Sequence, residues 1–158
     1  MTMPSPTAKA RKRGTGVPLA VRMFNPISKA LLRAGIPMGP DVLLTVRGRK
    51  TGLPRSTPVA VAEIAGRLWV VAPFGESDWA LNLRAAGDAT ITSGRRREDV
   101  TARELDSDER LAFFRDTLNP YLRRNPLARW IVRTLDRIPE DPLMAADANL
   151  VFEVRHKA

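Results

Sequence analysis

Two apolar, β-branched runs, Val42-Leu43-Leu44-Thr45-Val46 and Val59-Ala60-Val61-Ala62, are separated by a polar segment rich in glycine and proline, the pattern of two strands joined by a turn. Strand signals cover 41–47, 56–64 and 68–73, and Ala65-Gly66 supplies a tight turn between the second and third. Ser77-Asp78 then opens a helix through Ala86, which Gly87 closes. Strands over 88–93 and 98–105 flank a Gly94-Arg95-Arg96-Arg97 turn. Asp106 and Glu109 have the spacing of a capping box, and the helix they start carries Leu111, Phe113, Phe114 and Leu118 inward. Pro120 and Pro126 divide a further helical stretch that runs to about Leu135, and residues 147–155 end in the strand Leu150-Val151-Phe152-Glu153-Val154. Upstream, Val17, Leu19, Val21, Met23, Phe24, Ile27, Leu31 and Leu32 predict one or two short amphipathic helices over 17–34, ended by Gly35 and Pro37. Residues 1–16, almost without apolar side chains, are expected to be a disordered basic tail. Short antiparallel strands with inserted helices predict an α+β chain around a small barrel, a single domain over 17–158.

Charge narrows the partners. With 26 Lys and Arg against 17 Asp and Glu the chain carries +9, so its partners should be anionic: nucleic acid, anionic lipid or a polyanionic small ligand. The cations form patches at Lys9–Arg13, Arg47–Arg55, Arg95–Arg97, and Arg123-Arg124 with Arg129 and Arg133. The absence of cysteine removes disulfide, iron–sulfur and thiolate chemistry. The one histidine, His156, is too little for a histidine-based triad or a multi-histidine metal centre, so no metal is expected. No apolar run is long enough to span a bilayer and the first residues lack a signal-peptide core, so a cytoplasmic location is expected. The amphipathic 17–34 segment either covers one end of the barrel or, with the basic tail, makes a peripheral contact with anionic membrane at the inner face of the plasma membrane through residues 8–34.

Two segments carry candidate chemistry. Arg47, Arg49, Lys50 and Arg55 lie within nine residues, interrupted by Gly48 and Gly52 and accompanied by hydroxyls at Thr51, Ser56 and Thr57. A tight basic loop between strands is a receptor for phosphate or carboxylate, because glycine lets amides turn toward an anion and guanidinium groups offer forked hydrogen bonds. The spacing is not that of a Walker loop, and the same residues also read as a solvated hairpin turn. In the second segment a strand ends at Ala72, Pro73-Phe74-Gly75-Glu76 turns, and a helix begins at Ser77, bringing Trp79 and Asn82 onto one face. Read alone, these are equally a core tryptophan and a surface asparagine.

Together, Gly48-Arg49-Lys50-Thr51-Gly52-Leu53-Pro54-Arg55 and Trp79-Ala80-Leu81-Asn82-Leu83 resemble the deazaflavin-dependent nitroreductase family of actinobacteria, split β-barrel (FMN-binding-like) oxidoreductases that use the 8-hydroxy-5-deazaflavin coenzyme F-420. Ala85-Ala86-Gly87-Asp88-Ala89-Thr90-Ile91 and the closing strand around Val151-Phe152 extend the resemblance over about residues 20–155. It implies that Arg49, Lys50, Thr51, the Gly52 amide and Arg55 receive the phosphate and carboxylate tail of the coenzyme. It further implies that Pro58, Ala72, Pro73, Phe74, Gly75, Trp79 and Asn82 hold its ring. Tyr121, the single tyrosine, is the candidate proton donor or substrate contact. The implied activity is hydride transfer from reduced deazaflavin to a quinone-like, nitroaromatic or other conjugated hydrophobic acceptor, by a monomer or homodimer, with no nucleic-acid partner. Three alternatives stay open: a basic nucleic-acid-binding protein, a non-catalytic carrier of deazaflavin or lipid on the same barrel, and FMN in place of the deazaflavin.

Overall fold

The computed structural model describes residues 41–134 and 136–158. The tail over 1–16, the amphipathic helices over 17–34, the membrane contact assigned to 8–34 and the helix end at Leu135 all lie outside the described residues. Six strands are present among them: β1 (Asp41–Arg47), β2 (Pro54–Ile64), β3 (Arg67–Ala72), β4 (Asp88–Ser93), β5 (Arg96–Glu104) and β6 (Leu150–His156). Between them stand α1 (Asp78–Ala86), α2 (Ser107–Ala112), a π-helical turn over Phe113–Leu118, α3 (Asn119–Arg124), α4 (Pro126–Thr134) and α5 (Pro142–Ala148). The strands close a barrel in the order β1-β2-β3-β6-β5-β4, with every pairing antiparallel.

Alternation along the strands sorts the apolar residues into two cores. Val42, Leu44 and Val46 of β1, Val59 of β2, Val70 of β3 and Phe152 and Val154 of β6 fill the barrel, with Ala80 and Leu83 of α1 among them. The other face of β3 and β6 presents Trp69 and Val151 to a second core built from Phe113, Phe114, Leu118, Leu122, Ala145 and Ala146. There Trp69 stacks at a tilt on Phe113, ring centroids 4.9 Å apart, and Phe113 meets Phe114 edge to face.

The barrel is split between β2 and β3. Their pairing runs only from Ile64–Arg67 to Val61–Val70, after which Pro54–Ala60 stays with β1 alone while β3 continues with β6 to Ala72–Leu150. The Gly48–Leu53 loop, the Pro73–Ser77 turn and α1 all lie at the barrel end reached by Arg47 and Ala72.

Several local expectations are met at the backbone. Ala65 and Gly66 both have positive φ, as a two-residue hairpin turn matched to strand twist requires. Asp106 accepts from the Glu109 amide while Glu109 accepts from the Asp106 amide, a complete capping box. Others need correction. Strand β2 starts at Pro54 and β5 at Arg96, so Arg55, Arg96 and Arg97 are strand residues rather than turn residues. The helix after Asp106 widens into a π turn in which the Asn119 amide bonds to Phe114 O five residues back, just ahead of Pro120, which has no N–H to give the Asp116 carbonyl. Helix α5 was not expected, although Asp141 caps it by accepting from the Met144 amide and Pro142 takes its first position.

Glu153, 5 % exposed on the outer face, sits opposite Arg103 in the β5–β6 register and accepts from Arg155 at 3.0 Å and Arg103 at 3.2 Å. Burial pushes its carboxyl pKa up, but the two guanidinium groups outweigh that and hold it below the ordinary value of 4.5. A folded-state pKa below the unfolded one gives stability that is complete above the unfolded pKa and disappears as pH falls through the folded one. Glu153→Gln should therefore cost about 1 kcal/mol at neutral pH. In thermal melts the gap between wild type and variant should close as the pH is lowered below the usual carboxylate range.

Candidate functional site

The loop after β1 is held by its own backbone. The Gly48 amide donates to Leu53 O at 2.8 Å, and the Gly52 amide donates to Gly48 O at 2.9 Å. Gly48 is closely packed: a Cβ would stand 3.1 Å from Thr51 Oγ1 and 3.2 Å from Leu53 O, so the loop would have to give by a few tenths of an ångström to take a side chain. Gly52 has φ +70°, a left-handed conformation that glycine adopts without strain.

Asn82 fastens this loop to α1. It is only 7 % exposed, so it is not the surface residue that one reading allowed. Its Oδ1 accepts from the Arg49 amide at 3.1 Å and from Arg49 Nη1 at 2.8 Å. Arg49 Nη1 also reaches the Asp78 carbonyl at 3.3 Å, and Nη2 reaches Asp78 Oδ1 at 3.1 Å. Asp78 and Asn82 are four residues apart on one helix face, so both meet the same guanidinium. Sequence reasoning read Asp78 only as a helix opener; its i,i+4 relation to Asn82 was the available signal. With the Asp78 side chain 90 % exposed, that ion pair contributes little by itself. The Asn82 bonds, formed on a buried side chain, hold the geometry.

This clamp redistributes the donors. The Arg49 amide and most of its guanidinium are engaged, and the Gly52 amide is taken by Gly48. Left without a protein acceptor among the described residues are the Lys50 ammonium, the Thr51 hydroxyl proton, the amides of Lys50 and Thr51, and Arg55, opposite Val46 in the β1–β2 register, all on exposed residues. The set is cationic and rich in N–H and O–H, which suits a phosphate or carboxylate.

The residues expected beside the ring are spread over β2, the turn after β3 and the start of α1. Pro58 lies in the part of β2 that no longer pairs with β3, and Pro73 follows the last residue of β3. Ala72 is 1 % exposed and its carbonyl accepts the Gly75 amide, so it shapes the turn from within. Gly75 has φ +72°, and a Cβ there would stand 3.4 Å from Ala148 O. Trp79, half-buried, packs on the barrel core with its ring 6.3 Å from Phe152. Ser77 precedes α1, and its buried Oγ has no partner, an open hydrogen-bonding position at the helix start.

Two expected groups fall elsewhere. Tyr121 packs half-buried on the second core, across the β3–β6 wall from Trp79. The Gly94-Arg95 turn lies at the Asp41 end of the barrel, because Leu43 pairs with Thr92. From there Arg97 reaches along the outer face to a recess of about 340 Å³ that it shares with Arg47, Gly52 and Pro54. Among the described residues no cluster of His, Asp or Glu could hold a metal ion.

Residues 17–135 match the F420H(2)-dependent quinone reductase family. Among solved structures the chain is similar to an F420-H2 Dependent Reductase (FDR-A), at 28 % identity over 73 % of this chain and 94 % of that one, TM-score 0.46. It is also similar to a protein described as a domain-swapped dimer, at 23 % identity over 86 % and 97 % of the two chains, TM-score 0.52, a likeness of fold. General Stress Protein 26 from Bacillus anthracis matches at 15 % identity over 82 % and 88 %, TM-score 0.44.

Proposed function

Because the chain belongs to the F420H(2)-dependent quinone reductase family, and is therefore a deazaflavin-dependent reductase that uses coenzyme F-420, we propose that its acceptor is a quinone-like, nitroaromatic or other conjugated hydrophobic molecule. When bound, the reduced deazaflavin supplies a hydride, which leaves the polypeptide to bind, orient and exclude water. In this reading Lys50, Thr51 and Arg55 hold the anionic end of the coenzyme, Arg49 serves mainly as the strut between loop and helix, and Pro58, Pro73, Phe74, Gly75 and Trp79 border the ring.

The observation that carries the site assignment is the Arg49–Asn82 clamp. It ties an anion-receiving loop to the helix that bears Trp79, so the two ends of one long ligand would be held in fixed relation. Apolar borders at Pro58, Pro73, Phe74 and Trp79 favour a flat, hydrophobic acceptor beside the ring. The test is anaerobic oxidation of the reduced coenzyme with a short-chain naphthoquinone, a nitroaromatic and a saturated ketone. Oxidation with the conjugated acceptors and none with the ketone is expected. Tight coenzyme binding without turnover on any of them would make the barrel a carrier.

A further inference from the structure

We infer that α4 is a docking surface for anionic lipid, on which this chain rests peripherally at a membrane. The inference does not depend on the acceptor proposed above. Residues Pro126–Thr134 form a short helix with no fully buried side chain. Ala128 and Val132, at i and i+4, turn toward the second core. Leu127, Trp130 and Ile131, on a different face, are 72 %, 58 % and 37 % exposed. An indole and two aliphatic side chains on one stripe are an apolar face without a partner among the described residues.

Charge selects the occupant. The 16 residues from Asn119 to Thr134 hold four arginines, Arg123, Arg124, Arg129 and Arg133, and no acid. Arg133 turns back to the carbonyls of Ile138 and Pro139 and to Asn119 Oδ1, so it pins the helix rather than facing outward. Arg123, Arg124 and Arg129 are exposed, and Arg129 meets Glu140 only at 3.7 Å. A second copy of this face would set these cations against one another. The stripe is also only three side chains, far short of the roughly 20–30 residues a side in a stable protein interface. A bilayer surface avoids both difficulties: apolar side chains enter at the acyl boundary, tryptophan sits at headgroup level, and guanidinium groups pair with phosphate. Among the described residues no helix is long and apolar enough to cross a membrane, so the contact would lie in the interface plane.

The test is co-sedimentation of the full chain with phosphatidylcholine vesicles, with and without phosphatidylglycerol. Binding to the anionic vesicles is expected to exceed binding to the neutral ones by about tenfold. Leu127→Ser/Trp130→Ser, with both residues exposed, should lose about tenfold of that binding while keeping the wild-type melting temperature. A blue shift of tryptophan emission on anionic vesicles should be absent in Trp130→Phe. Three results would overturn the assignment. One is indifference to both vesicles. Another is binding that survives the α4 double variant and vanishes in K9Q/R11Q/K12Q/R13Q, which would give the contact to the basic tail. The last is an α4 variant that changes oligomeric state in solution, which would make a second copy the occupant.

Discussion

Lys50→Ala/Arg55→Ala should weaken binding of oxidised coenzyme F-420 by about two orders of magnitude while leaving thermal stability nearly unchanged. Hydrogen bonds to charged groups contribute about 1.5–3 kcal/mol each, and exposure at the barrel end screens part of that, so about 2–4 kcal/mol is lost for the pair. Neither side chain makes a hydrogen bond or ion pair with another described residue, so removal leaves no buried group unpaired. A fluorescence titration against added salt checks the electrostatic part: wild-type affinity should fall with ionic strength, and that of the double variant should fall less. A dissociation constant within threefold of wild type would remove these two cations from the site.

Asn82→Leu should act differently, lowering stability and affinity together. The substitution leaves the Arg49 amide and Nη1 without their shared acceptor on a side chain that is nearly buried. Loss of one partner at such a site costs about 1–3 kcal/mol. Because the same bonds set where Lys50 and Thr51 stand relative to Trp79, affinity for the coenzyme should fall by roughly 10- to 100-fold. Asp78→Ala removes only the exposed half of the clamp and should change either quantity by less than threefold. Melting temperature and titration on the same preparations separate the strut from the anion receptors. A stable Asn82→Leu protein with wild-type affinity would mean that the loop holds its place without α1.

Much of the barrel was legible because each strand alternates and each turn carries its own chemistry. Ala65-Gly66 and the Asp106–Glu109 capping box are local signals whose geometry needs no distant partner. Elements set by competition were harder to read. Pro120 interrupts an α-helical ladder that Leu111, Phe113, Phe114 and Leu118 otherwise support, and the π turn falls on the residues just before it. Helix α5 is short, and Asp141-Pro142 was its only strong signal. At the site, the residue types of the two motifs could be read from the chain, but their wiring could not. Nothing local says that Asn82 accepts from Arg49, or that Gly52 spends its amide on Gly48. The first depends on the Arg47 and Ala72 strand ends meeting at one end of the barrel, and the second on the closed geometry of the Gly48–Leu53 loop.

The central claim is that the clamped Gly48–Leu53 loop and the start of α1 form one cofactor site. The most direct measurement is an amide and indole chemical-shift map of the full chain titrated with oxidised coenzyme F-420. The largest shifts should fall on the Lys50 and Thr51 amides, the Gly75 and Ser77 amides and the Trp79 indole, with the Gly94-Arg95 turn and the Trp130 indole unmoved. Saturable binding whose shifts cluster instead on the outer face around Thr101, Arg103 and Glu153, leaving Lys50, Thr51 and Trp79 unchanged, would contradict it.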